Sequence, residues 1–163
     1  FLVFHVSVRR IGDRFWVPLT RDAGTPLLFV DWNAAEWPEG DYEVKVRATD
    51  AHENAPGDGL SAELVSGPIR VDNSPPVIGE LSLRAGKLRF RVKDAASRIR
   101  SVRVAVGNGA WQTVSSNDGM IDSSDEFFAV DLSQLGVQSS TFLRVQAQDS
   151  FGHLGRAGIE VRR

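Results

Sequence analysis

The sequence predicts an all-β protein made of two tandem β-sandwich modules, and three observations carry that expectation. Apolar residues alternate with polar ones at a period of two in segment after segment, the spacing of strands with one buried face. An Asn-Gly pair joins two such segments, the strongest short-range signal for a hairpin. The chain also repeats itself weakly at a spacing near 95 residues, which suits a sandwich of about seven strands. A 3.6-residue apolar period is found in no stretch.

In "DYEVKVRATD", Tyr42, Val44, Val46 and Ala48 fall on one face of a strand, opposite Glu43, Lys45, Arg47 and Thr49. In "KLRFRVKD", Leu88, Phe90 and Val92 alternate with Lys87, Arg89, Arg91 and Lys93. "SVRVAVGNGAWQTV" sets Val102, Val104 and Val106 ahead of Gly107-Asn108-Gly109, with Trp111 and Val114 beyond it, and predicts a hairpin whose Asn108 and Gly109 accept positive φ. The repeat aligns "VKVRATD" (44–50) with "LRVQAQD" (143–149), and Trp16 with Trp111. Both tryptophans are expected in core or edge packing. "VDNSPPVI" (71–78) separates the halves. Pro75 and Pro76 lack amide donors, so no central strand passes through them, and Ser74 is pushed to an extended conformation. The expected modules are residues 1–73 and 74–163. "FLVFHVSV" alternates from Phe1 onward, so the expectation is a chain that begins inside a longer polypeptide, its first module lacking one or two leading strands.

The 163 residues are 42% hydrophobic and 25% charged, enough apolar content for packed cores. No apolar run reaches the roughly 20 residues a membrane-spanning helix requires. With no cysteine, disulfides, thiolate chemistry and cysteine-based zinc sites are excluded. The net charge of −2 hides an asymmetry: seven Lys/Arg face twelve Asp/Glu up to residue 73, and twelve face nine after it.

At "WPEGDYEVKVRATD" the chain resembles the strand E–F corner and strand F of fibronectin type III and related immunoglobulin-like sandwiches, on Pro38, Gly40, Tyr42 and the alternation that follows. The resemblance implies a tyrosine packed inward with its hydroxyl bonded back to the corner. "VDNSPPVI", "KDAASRIRSVRVAV", "AWQTVSSNDGMIDSSDEFF" and "RVQAQDSFGHLG" together resemble a tandem found at the C-terminal end of large exported bacterial proteins, often after β-propellers. That implies an extracellular, cell-surface or periplasmic accessory module without catalysis, whose partners are upstream domains of the same polypeptide. The second half departs from the corner pattern: Thr141 stands where the repeat places the tyrosine.

Candidate chemistry is sparse. The seam resembles a cadherin-type calcium junction, in which Asp72 and Asn73 with Asp50, Glu53, Asn54 and Asp58 would supply the oxygens calcium prefers, although the Leu-Asp-Arg-Glu motif is missing. "NDGMIDSSDE" fails an EF-hand register, since Val114 and Ser116 fall where carboxylates belong, but Asp118, Asp122, Asp125 and Glu126 leave a looser metal site open. Turn chemistry explains the same residues without a metal. Lys87, Arg89, Arg91 and Lys93 form a basic row that suits an anionic partner, or simply protects a sheet surface. Trp32 and Trp37 are the candidates for stacking on sugar rings. His5, His52 and His153 lie apart, no HExxH or GxSxG occurs, and an Asp149–His153 contact across a turn is the nearest approach to a catalytic pair.

The expected function is therefore a non-catalytic spacer or assembly module, with no cofactor unless calcium binds. Other protein subunits or polysaccharide are its further candidate partners, and neither nucleic acid nor membrane insertion is expected. The alternatives are a carbohydrate-binding accessory module and a calcium-stiffened adhesion repeat.

Overall fold

A computed structural model describes residues 1–162. Apart from one 3-10 turn at Ala34–Glu36, its regular structure is entirely β-strand among the described residues. The chain divides into two compact units, Phe1–Asp72 and the remainder from Asn73.

The first unit holds β1 (Val3–Arg10), β2 (Val17–Pro18), β3 (Gly40–Thr49), β4 (Ser61–Val65) and β5 (Ile69–Val71). They form one antiparallel sheet in the order β2-β1-β3-β4, with β5 also on β3. Val6 faces Val46 and Val8 faces Val44 across the ladder, so the period-two alternation puts Phe4, Val6, Val8, Tyr42, Val44, Val46 and Ala48 on one face. A sandwich would need a second sheet over that face. This unit has only one, and its core is correspondingly small: Val8, Tyr42 and Val71, packed by Leu19, Trp32, Ala34, Trp37 and Val44.

The second unit has both layers. A three-stranded sheet, β10-β7-β6, comprises β6 (Val77–Arg84), β7 (Lys87–Lys93) and β10 (Asp125–Asp131). A four-stranded sheet, β12-β11-β8-β9, comprises β8 (Ile99–Val106), β9 (Gln112–Val114), β11 (Thr141–Asp149) and β12 (Leu154–Val161). Leu88, Phe90 and Val92 point inward as their alternation requires, and meet Val102, Val104, Leu143 and Val145 in a single core. Phe128 stacks on Phe90 with centroids 4.8 Å apart. Its neighbour Phe127 turns outward beneath Arg91, because adjacent strand residues face opposite ways.

The hairpin after β8 exists, but its left-handed residue is Gly107 (φ 53), one place earlier than the Asn-Gly pair suggests. The Gly109 amide bonds to the Val106 carbonyl at 2.8 Å, so the tight turn is centred on Gly107-Asn108, and positive φ is needed at its first central residue. Past the Pro-Pro pair, the Pro76 carbonyl lies against β12. A Cβ at Gly155 would stand 1.9 Å from that oxygen, so only glycine admits the seam at this place.

Candidate functional site

The most unusual surface lies on the first unit. One end of its inner sheet face is closed by aromatic rings. Trp32, Trp37 and Tyr42 meet edge-to-face with centroids 5.5–5.8 Å apart. Tyr42 is buried and its hydroxyl donates to the Pro38 carbonyl at 2.7 Å, the inward tyrosine that the corner sequence suggested. The other end is an open groove of about 330 Å³ lined by Phe4, Val6, Val44 and Val46 on the sheet and by Leu27–Val30 above them. Leu28 is 90% exposed and Phe29 68%.

The same positions in the second unit are sealed. Phe4–Ala48, Val6–Val46 and Val8–Val44 stand where Val102–Ala147, Val104–Val145 and Val106–Leu143 stand in the four-stranded sheet. Val102, Val104, Leu143, Val145 and Ala147 are all wholly buried there, because the three-stranded sheet covers them. In the first unit Val8 is wholly buried and Val6 nearly so, while Phe4, Val44, Val46 and Ala48 are only half-buried. Burying a Val or Leu side chain contributes about 1.5–3 kcal/mol, so a row left partly open is a substantial unrealised stabilisation.

Most of the other candidate residues have local partners. In the first unit, Asp50 accepts the Leu60 amide at 2.7 Å, and Glu53 lies 2.7 Å from the Phe1 amino group. Asp72 ends the unit as a buried residue, while Asn73 is exposed. In the second unit, Asp118 receives the Ser116 hydroxyl at 2.5 Å and the Met120 amide at 3.1 Å, bonds that hold its carboxyl below the usual carboxylate range. Glu126 is buried and accepts the Asp122 and Ser123 amides. Asp125 turns instead to Arg91. Asp118 thus serves its own turn and Asp125 the ladder, while Asp122 meets Glu126 through its backbone amide, and the structure does not draw the three carboxylates together into one site.

The basic row lies on β7 as expected, and β10 and β6 answer it with acids. Arg91 reaches Asp125 at 2.5 Å and Glu80 at 3.6 Å, Lys93 reaches Asp125 at 3.5 Å, and Lys87 reaches Asp131 at 3.5 Å. Arg89, exposed between Ser82 and Ala129, has no acid opposite it. An anionic ligand would have to displace the carboxylates from the other three, so Lys87, Arg91 and Lys93 serve as a cross-strand charge ladder. The Arg91 hydrogen bonds, and then its charge, hold the Asp125 carboxyl below the usual range. A depressed folded value means that this pair supports folding above the usual carboxylate range and loses that support as pH falls through the lowered value. A carbon-detected NMR titration should find the Asp125 midpoint low, and Arg91→Gln should move it back up. An unmoved midpoint would show that Arg91 is not the cause.

Trp32 and Trp37 are half-buried and set at 84° to each other, so they present no flat platform for a sugar ring. Trp16 and Trp111 are not core residues. Each lies half-buried on the outer side of its sheet and takes cations from the two central strands: Arg9 and Lys45 over Trp16, Arg103 and Arg144 over Trp111. Asp149 and His153 do meet, Nδ1 to Oδ2 at 2.8 Å, but Asp149 also accepts the Phe151 and His153 amides, so its job is to hold the β11–β12 turn. The segment Leu27–Asp31 escaped sequence reasoning altogether. The signal was present: "LLFVDW" (27–32) repeats "FFAVDL" (127–132) 100 residues later.

Compared with protein-family models and with curated protein sequences, the chain matches none of them. No helix among the described residues is long and apolar enough to cross a membrane.

Proposed function

We propose that the chain is a non-catalytic interaction module in which two immunoglobulin-like units carry a protein-binding surface for a larger exported assembly. One observation carries the reading: the inner face of the first sheet, with Leu27–Val30 above it, leaves an apolar groove open to solvent. Exposed apolar patches of this kind mark interaction sites in soluble proteins. The immunoglobulin-like assignment is supported by the Tyr42–Pro38 corner bond and by the β12-β11-β8-β9 order, which β4-β3-β1-β2 repeats. Export is supported by the resemblance of the seam and loop sequences alone.

The first test is accessibility. An apolar fluorescent dye should bind the chain at neutral pH, and Leu28→Asp/Phe29→Asp should abolish the signal without lowering the melting temperature. Amides of residues 27–31 should exchange fast with deuterium. Absence of dye binding together with slow exchange at 27–31 would mean that the face is closed, and would end the reading.

A further inference from the structure

We infer that the open face of the first sheet receives an amphipathic β-hairpin of the β6–β7 kind, which pairs with residues 27–31 to complete a three-stranded covering layer. The inference rests on the interaction-module reading and narrows what the surface binds to one shape.

The second unit shows what covers this face. There the counterpart segment, 127–131, is part of β10 and pairs antiparallel with β7, Phe128 opposite Phe90 and Val130 opposite Leu88. β7 pairs in turn with β6, joined by the two-residue turn Ala85-Gly86 with both residues at positive φ. The hairpin β6–β7 thus supplies two of the three covering strands, presenting Ile78, Leu81, Leu83, Leu88, Phe90 and Val92 to the core.

In the first unit the third covering strand is present in sequence and lacks its neighbours. Leu27–Trp32 matches Phe127–Leu132, and the flanks correspond as well. Trp32 and Trp37 pack into the small core where Leu132 and Val137 pack into the large one. Both segments lead into a short turn, at Ala34–Glu36 and at residues 132–136. Yet Phe128 is 2% exposed and Leu28 90%. Among the described residues, the backbone of residues 28–31 forms no hydrogen bond, whereas that of 127–131 belongs to a full ladder.

Two needs therefore coincide: a row of apolar side chains to cover, and a run of backbone groups to pair. A helix, or a second copy of this sheet laid face to face, would meet the first and leave residues 28–31 unpaired. A hairpin entering antiparallel to 27–31 meets both, by strand addition. Its inner strand would set apolar residues against Leu28 and Val30, and its outer strand would lie over β3 and β4, as β6 lies over β11 and β12.

The probe is the chain's own hairpin, a synthetic peptide of residues 77–93, added to the full chain and followed by hydrogen exchange. A second form tethers the same hairpin through a Gly/Ser linker ahead of Phe1, which raises its effective concentration where the free peptide is too weakly folded. At peptide a hundredfold above its dissociation constant, exchange at residues 28–31 should slow by about a hundredfold. Leu28→Asp/Phe29→Asp, at exposed positions that leave folding intact, should abolish the slowing. A peptide with its apolar alternation scrambled should produce none. If neither free nor tethered hairpin protects 28–31 while the dye still binds, the interaction surface stands and the hairpin is wrong. Concentration-dependent dimerisation that protects the face, is lost in the double variant and is not competed by either hairpin would likewise overturn it in favour of a second copy. A failed dye test would instead remove the underlying reading.

Discussion

Phe128→Ala is expected to lower the stability of the second unit by about 3–5 kcal/mol, while Leu28→Ala, at the matching position of the first, changes stability by less than about 0.5 kcal/mol. Phe128 is 2% exposed and stacked within 5° of coplanar on Phe90, so truncation removes both its buried surface and the ring pair, and leaves a cavity between two sheets. Leu28 is 90% exposed and has almost nothing to lose. Urea unfolding followed by pulse-labelling hydrogen exchange reads the units separately, β7–β8 amides for one and β1–β3 amides for the other. Equal losses at the two positions would show that the first unit is sealed in solution. With the hairpin tethered, Leu28→Ala should become costly, a coupling that only a covered face would show.

Asp149→Ala should be nearly as damaging, by about 2–4 kcal/mol, because it strands several donors at once. The carboxylate is wholly buried. One oxygen takes the Phe151 and His153 amides at 2.8 and 2.9 Å, and the other faces the His153 ring at 2.8 Å. Without it these donors lie at a turn already fixed by the Gly152 amide on the Asp149 carbonyl. Asp149→Asn keeps an acceptor for both amides and should cost about half as much. Asp50, the repeat partner of Asp149, accepts only the Leu60 amide and is less buried, so Asp50→Ala should cost only about 1 kcal/mol. Thermal melts of the three variants give the order. A cost at Asp50 equal to that at Asp149 would contradict this account of the turn.

Strand placement was legible because it depends on local alternation. Tyr42-Val44-Val46 and Leu88-Phe90-Val92 name their own buried faces, and two prolines name a break. The repeat "VKVRATD"/"LRVQAQD" was legible too, and the structure supplies its reason: each strand ends in an Asp that ties down the loop after it. Pairing was less readable. Nothing local says that Arg91 meets Asp125 across a ladder, 34 residues on, or that Trp16 and Trp111 lie on the outer side of their sheets beneath cations. A tryptophan in a hairpin reads equally as core until strand neighbours are known. The acidic loop showed its carboxylates but not their directions, so it suggested a metal site where the folded chain has three separate turn and ladder contacts.

By itself, then, the sequence determined the β class, the strand faces and the break at 74–76, consequences of side-chain period and backbone restriction within a few residues, while the inward tyrosine was what the resemblance of its corner implied. Only the tertiary structure decided which sheets acquire a partner. Leu27–Asp31 and Phe127–Asp131 share an apolar pattern ending in Val-Asp, yet the first is an exposed strip and the second a strand of the core layer. A strand exists only when a neighbour accepts its hydrogen bonds, and that neighbour is β7 in one unit and missing from the other.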